Sequence, residues 1–181
     1  MSEGSEGKFF TKEERNVFTQ YGATMLVVQG FEWSLKRLST LYTDVGEEPT
    51  LEEALKAVEK KFASAAGPLI KHLKKHQSVP EKFLEELEQA TKARNYLAHE
   101  YLFAYVLKKS WGSVVNPQET ITYLRSQARY FQELEDELYK LIRERESELG
   151  IDRILTSDTG RLLEEIIQEK MIEGESEKYH S

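Results

Sequence analysis

The sequence predicts an all-α fold, a helical bundle of four to six helices in which two or three long antiparallel helices share one core. Two observations carry this expectation. Apolar residues recur along most of the chain at spacings of three, four and seven, which places them on one face of a helix. No stretch of any length alternates apolar and polar residues as a half-buried strand would, and no internal repeat is visible.

The first helix is expected over 12–42. Thr11 and Glu14 stand at the spacing of a capping box, and Phe18, Met25, Val28, Leu35, Leu38 and Tyr42 form the apolar stripe behind it. The polar stretch TDVGEEPT reads as a loop. Thr50 and Glu53 repeat the capping box and open a second helix through Leu55, Val58 and Phe62. Gly67-Pro68 is expected to break that helix, and the short basic helix LIKHLKKH follows. Pro80 reads as the first residue of a long helix marked by Phe83, Leu84, Leu87, Ala90 and Leu97 and continuing to Leu107. After the connection WGSVVNP, Ile121, Leu124, Ala128, Phe131, Leu134, Leu138 and Leu141 mark a helix over 118–149. Leu162, Leu163, Ile166 and Ile167 mark a short one over 160–172. One domain is expected over 8–172, between a disordered N-terminus at 1–7 and a disordered acidic tail at 173–181.

With 181 residues the chain can bury a substantial core without staples. The absence of cysteine excludes disulfides and thiolate chemistry and fits a reducing compartment. The start MSEGSEG has no basic region followed by an apolar one, and no apolar run approaches the roughly 20 residues that span a bilayer. A soluble cytoplasmic protein with no membrane partner is expected.

The formal net charge of −7 argues against a protein that coats itself with nucleic acid through bulk positive potential. The charge is unevenly spread, however. Residues 1–7 and 173–181 together carry five Glu against one Lys, and 112–172 carries thirteen acidic against eight basic residues. Residues 51–110 carry eleven Lys and Arg against eight Glu, so a polyanion is expected to approach that part of the surface.

That segment contains KARNYLAHEYL, where an arginine, an asparagine, a histidine and two tyrosines interrupt an apolar helical pattern. At about 100° per residue, Arg94 and Tyr101 project within about 20° of each other, and Asn95 and His99 form a second near-aligned pair. Spacing alone leaves two readings. Either these are boundary residues, with Arg94 extending its charge to water and the tyrosines packing at an interface, or they face a ligand or a partner chain.

The order Arg94-Asn95-Tyr96-Leu97-Ala98-His99-Glu100-Tyr101 resembles the signature of the HEPN superfamily. That pattern is an arginine, a polar residue after it, most often asparagine, and a histidine after four to six intervening positions, here four. The tyrosine two places after the histidine looks like the longer form found in HEPN toxins paired with a nucleotidyltransferase antitoxin. The resemblance implies a metal-independent, cofactor-free endoribonuclease of a toxin-antitoxin or antiviral defence system. It further implies a homodimer in which the two motifs meet in one cleft on the RNA substrate.

The residue types suit that chemistry. RNA supplies its own nucleophile, the 2′-hydroxyl, so the protein has only to move protons and stabilise charge on phosphorus. His99, whose side chain type titrates close to neutrality, would be general acid or base. Arg94 would hold the scissile phosphate with its charged fork, and Asn95 would orient His99 or donate to a phosphate oxygen. The products would be a 2′,3′-cyclic phosphate and a 5′-hydroxyl. Because each chain brings one motif histidine, a two-fold axis near His99 would complete an acid–base pair.

In the paired toxins the antitoxin adenylylates the tyrosine matching Tyr101; the other reading is that Tyr101 only packs. Glu32, next to Trp33 in QGFEWSLKRL, reads either as a supporting carboxylate and ion-pair partner of Arg94 or as a surface residue. Against the compact toxins the chain carries a helical insert over 44–79 and a C-terminal extension over 150–172.

Lys71, Lys74, Lys75 and Lys92 read either as a solvated basic face or as contacts to an RNA backbone. His72 and His76 have the helical spacing of a metal pair, but no third ligand or general base accompanies them, so no metal site is expected. No phosphate-cradling glycine loop, serine nucleophile elbow or paired-carboxylate site is visible. The reading from a different class is a non-catalytic helical scaffold that binds a nucleotide or a protein partner.

Overall fold

The computed structural model describes residues 10–43, 50–76, 78–110 and 115–150. Among these residues every regular element is helical and no strand occurs. The expected helix over 160–172, the two charged ends and the C-terminal extension lie outside the described residues. Two units are distinguished along the chain, 1–140 and 141–181.

Helix α1 spans Lys12–Leu41 and α2 spans Leu51–Phe62. Both begin with a complete capping box, Thr11 with Glu14 and Thr50 with Glu53, as their sequences require. Helix α3 is Ala66–Leu73. Gly67-Pro68 does not break a helix, contrary to expectation. The chain turns at 63–65, and Pro68 lies in the first turn of α3, where a missing N–H leaves no intrahelical bond unmade.

Pro80 is the N-cap of α4, Glu81–Asn95, rather than its first residue. A π-helical turn, Tyr96–Tyr101, continues directly into α5, Leu102–Ser110. Helix α6, Pro117–Glu148, is started by Asn116, whose side-chain carbonyl accepts from the backbone N–H groups of Gln118 and Glu119. Its end is marked by Gly150 at φ 68°, the left-handed conformation that glycine adopts without strain.

Three rods make the core of the first unit. Contacts advance together along α1 and α6: Thr24 with Leu124, Phe31 with Phe131 and Ser34 with Glu135. These two helices therefore run parallel. The rod made of α4, the π-turn and α5 is antiparallel to both, pairing Arg94 with Glu32 and Tyr105 with Phe18 on α1, and Glu86 with Tyr130 on α6.

The buried stripe of α1 is centred on Val17, Thr24, Val28, Phe31, Leu35 and Leu38, while Phe18 and Met25 lie half-buried on its flank. Thr24 is tolerated there because its hydroxyl is satisfied by the carbonyls of Gln20 and Leu124. Fully burying Phe31 against Phe131 removes side chains worth roughly 1.5–3 kcal/mol each from water. At Gly30 an added Cβ would stand 3.0 Å from a Glu135 carboxylate oxygen, so glycine permits α6 to bring that carboxylate against α1 and the Ser34 hydroxyl.

Helices α2 and α3 pack on α1. Phe62 meets Trp33 edge-on at 6.0 Å, and α3 buries Leu69, Ile70 and Leu73. His72 Nε2 lies 3.2 Å from the Tyr42 carbonyl, and its ring meets His76 edge-on at 5.1 Å.

Candidate functional site

The segment with the densest polar chemistry is also the one that departs from α-geometry. A π-turn closes hydrogen bonds from i to i+5 instead of i+4, so one more residue fits in each ring. Residues five apart, about 140° from each other on a straight α-helix, are drawn toward one face. Tyr96 and Tyr101 display this directly, with ring centroids 5.8 Å apart at 77°. Arg94 and His99 have the same separation in sequence and flank the start of the same turn. The α-helical angles expected for 92–102 therefore do not hold past Asn95. Tyr21 of α1 donates its hydroxyl to the Leu97 carbonyl within this turn at 2.9 Å, a contact of the kind that accompanies an opened helical ladder.

Arg94 is held on two sides. Its Nε pairs with Glu32 Oε1 at 2.6 Å and its Nη1 donates to Asn95 Oδ1 at 3.0 Å. Glu32 thus lies against Arg94. Arginine has five N–H donors in a fixed fork; one hydrogen bond and one ion pair are made here, and the side chain is still 30% exposed. A small open cleft of about 70 Å³ lies beside it, lined on α1 by Glu32, Leu35 and Lys36, on the α2–α3 connection by Ser64 and Ala65, and at the start of α3 by Ala66. His99 is exposed and does not line this cleft. Its side chain makes no hydrogen bond to a described residue, which leaves the imidazole open to solvent.

Tyr101 faces inward. Its ring stacks between Tyr123 of α6, at 5.1 Å, and Tyr21 of α1, at 6.5 Å. Burial pushes its phenol up to about 12, aided by the neighbouring Tyr123 and Tyr96, with a hydrogen bond to Thr120 acting the other way. Arg94 and Tyr101 do both look toward α1, contacting Glu32 and Tyr21 three turns apart on that helix.

The four lysines singled out as backbone contacts fall into two settings. Lys74 pairs with Glu88 at 2.7 Å, and Lys71 and Lys92 lie within electrostatic reach of the same carboxylate. Lys75 instead shares the α2–α3 surface with Lys61 and His72. No group of three His, Asp or Glu among the described residues could hold a metal ion, and no described helix is long and apolar enough to cross a membrane.

Tyr21, Tyr123 and Lys36 escape sequence reading altogether. They lie 70 or so positions before, 20 or so after, and on a helix whose partner face is unknown until the rods are paired. Comparison with protein-family models, with curated proteins and with solved structures gives no match for this chain.

Proposed function

We propose that the chain is a metal-independent endoribonuclease of HEPN type that acts as a homodimer, with Arg94, Asn95 and His99 at the chemistry. One observation carries this reading: a guanidinium with unused donors, fixed by Glu32, is joined through a widened turn to an exposed imidazole. In the reaction, an imidazole takes the proton of the 2′-hydroxyl as that oxygen attacks phosphorus. The phosphorus–5′-oxygen bond breaks, and a second imidazole supplies a proton to the leaving oxygen. Arg94 donates to the phosphate oxygens as charge develops on them.

The second imidazole would come from another copy of the chain. Phe103, 65% exposed, and Val106, 45% exposed, stand three apart on α5 just past His99 and give an apolar surface for a two-fold contact. A nucleotidyltransferase antitoxin acting on Tyr101 would first have to draw its ring out from between Tyr21 and Tyr123, so packing is the role its surroundings favour.

The test is cleavage of end-labelled RNA by purified protein with and without chelator, alongside His99→Ala. The proposal expects chelator-resistant cleavage to cyclic-phosphate ends and a loss of at least about 100-fold in the variant. Absence of cleavage by the native chain, or equal cleavage by the variant, overturns it. The Glu32–Arg94 pair favours one other reading, a non-catalytic scaffold in which that ion pair is purely structural. Cleavage-negative protein whose fold is lost on replacing Glu32 would establish it.

A further inference from the structure

We propose that Tyr96 and Glu100 form a base-recognition site, in which an unpaired guanine of the RNA stacks on the free face of Tyr96 and gives its base-pairing edge to the Glu100 carboxylate. That this guanine lies next to the bond that is cut rests on the ribonuclease reading above; its recognition rests on the geometry of the turn.

Tyr101 fixes how Tyr96 stands. Both faces of the Tyr101 ring are taken, one by Tyr123 at 5.1 Å and 23°, the other by Tyr21 at 6.5 Å and 5°. Tyr96 meets that ring at 5.8 Å and 77°, so it touches the Tyr101 edge and does so with its own face. One face of Tyr96 is thereby closed. The ring is still 40% exposed, which leaves the other face to solvent. A ring braced by its neighbour has less freedom to lose when a base stacks on it.

Glu100 is four residues on in the same turn, and residues at that spacing lie on one face of a helix. It is exposed and forms no ion pair with a described residue. An ionised carboxylate has two acceptor oxygens side by side and no donor. Among the four RNA bases only guanine presents two neighbouring donors, N1–H and N2–H, that match both oxygens at once. Adenine and cytosine set a ring acceptor beside their amino group, and uracil flanks its N–H with two carbonyls. Each of those would turn a lone pair toward the carboxylate, a mismatch that costs more than the bond it makes. Glu100 also repels phosphate, a cost that only guanine offsets, so the residue selects rather than merely attracts. In a duplex that edge is occupied by pairing, so the strand has to be single. His99 stands between Tyr96 and Glu100 in the same turn, which places the sugar–phosphate of the held nucleotide beside the imidazole.

The test uses the full chain. In a His99→Ala background, binding is measured for uridine-run RNAs of about 10 nucleotides carrying one guanine, inosine, adenine or abasic position. Inosine keeps N1–H and lacks the N2 amino group, so it should bind about tenfold more weakly than guanine, and adenine at least as weakly. Glu100→Gln should bring guanine and inosine within about twofold of each other. Tyr96→Leu should lower the affinity for the guanine strand about tenfold and leave the abasic strand where it was, while Tyr96→Phe keeps the ring and the affinity. Should Tyr96→Leu fold poorly, the guanine-to-inosine ratio in Glu100→Gln alone carries the test.

A parent that binds guanine, inosine and adenine strands equally, or binds no RNA, overturns the proposal. So does a guanine preference that survives Glu100→Gln. Cleavage of RNA without such a preference would overturn this site and leave the ribonuclease reading standing. Guanine-selective binding that depends on both residues, by a chain that cleaves nothing, would do the reverse.

Discussion

Tyr21 of α1 donates its hydroxyl to the carbonyl of Leu97, 2.9 Å away and 76 positions along the chain. Together with the stacking of Tyr101 on the Tyr21 ring, that bond ties the widened turn to α1. Tyr21→Phe keeps the ring and removes the donor, so it should cost about 1 kcal/mol in urea unfolding. If the turn is what aligns Arg94 with His99, RNA cleavage should fall with it. Unchanged stability and rate in this variant would show that the turn is held by other contacts.

Glu32→Ala leaves Arg94 without its Nε partner. Both side chains keep contact with water, at 21% and 30% exposure, so the stability loss should stay below about 1 kcal/mol. The catalytic loss should be larger, about tenfold in kcat/KM, because an unanchored guanidinium spends less time aimed at phosphate. Glu32→Gln retains an acceptor and should recover part of the rate. A variant with wild-type kcat/KM would remove Glu32 from the positioning of Arg94.

Tyr101 predicts the behaviour in base. Its folded-state phenol is pushed to about 12 from an ordinary 10, so the folded chain holds that proton more tightly than the unfolded chain does. Its contribution is complete below pH 10 and is lost as pH rises from there toward 12. Tyr21, Tyr105, Tyr123 and Tyr130 are raised in the same direction by burial and add to the effect. Thermal unfolding followed over that range should fall less steeply for Tyr101→Phe than for the native chain. An equal slope for both would place the alkaline transition elsewhere.

Phe103→Glu puts a charge on the exposed apolar surface of α5. Surface replacement should change monomer stability by no more than about 0.5 kcal/mol. Under the homodimer reading, sedimentation should shift from dimer to monomer at micromolar concentration and cleavage should fall with it. Native chain that sediments only as monomer would rule out the shared site.

What the sequence discloses follows how locally each feature is determined. The capping boxes of Thr11 with Glu14 and Thr50 with Glu53 are read correctly because each involves residues three apart. The apolar stripes are read well enough to find every described rod. Within α1, however, Thr24 is buried at a place where only an apolar residue would be chosen, since its acceptor on Leu124 lies 100 positions away. The same limit governs the candidate site. Arg94, Asn95 and His99 stand out by type and order, whereas the contact of the π-turn with Tyr21 and the sorting of Lys74 from Lys75 by Glu88 are both supplied by other helices.

The wide turn at Tyr96–Tyr101 also acts as a phase setter for the helix that follows it. It accommodates one residue beyond what an α-helix would, so deleting a residue there, Ala98 for example, should rotate α5 about its axis by about 100°. Tyr105, now 6% exposed, would leave its place against Phe18, and the surface bearing Phe103 and Val106 would be aimed elsewhere. The direction in which α5 presents its exposed apolar residues is therefore set one turn upstream, in a segment that a hydroxyl on another helix ties to α1.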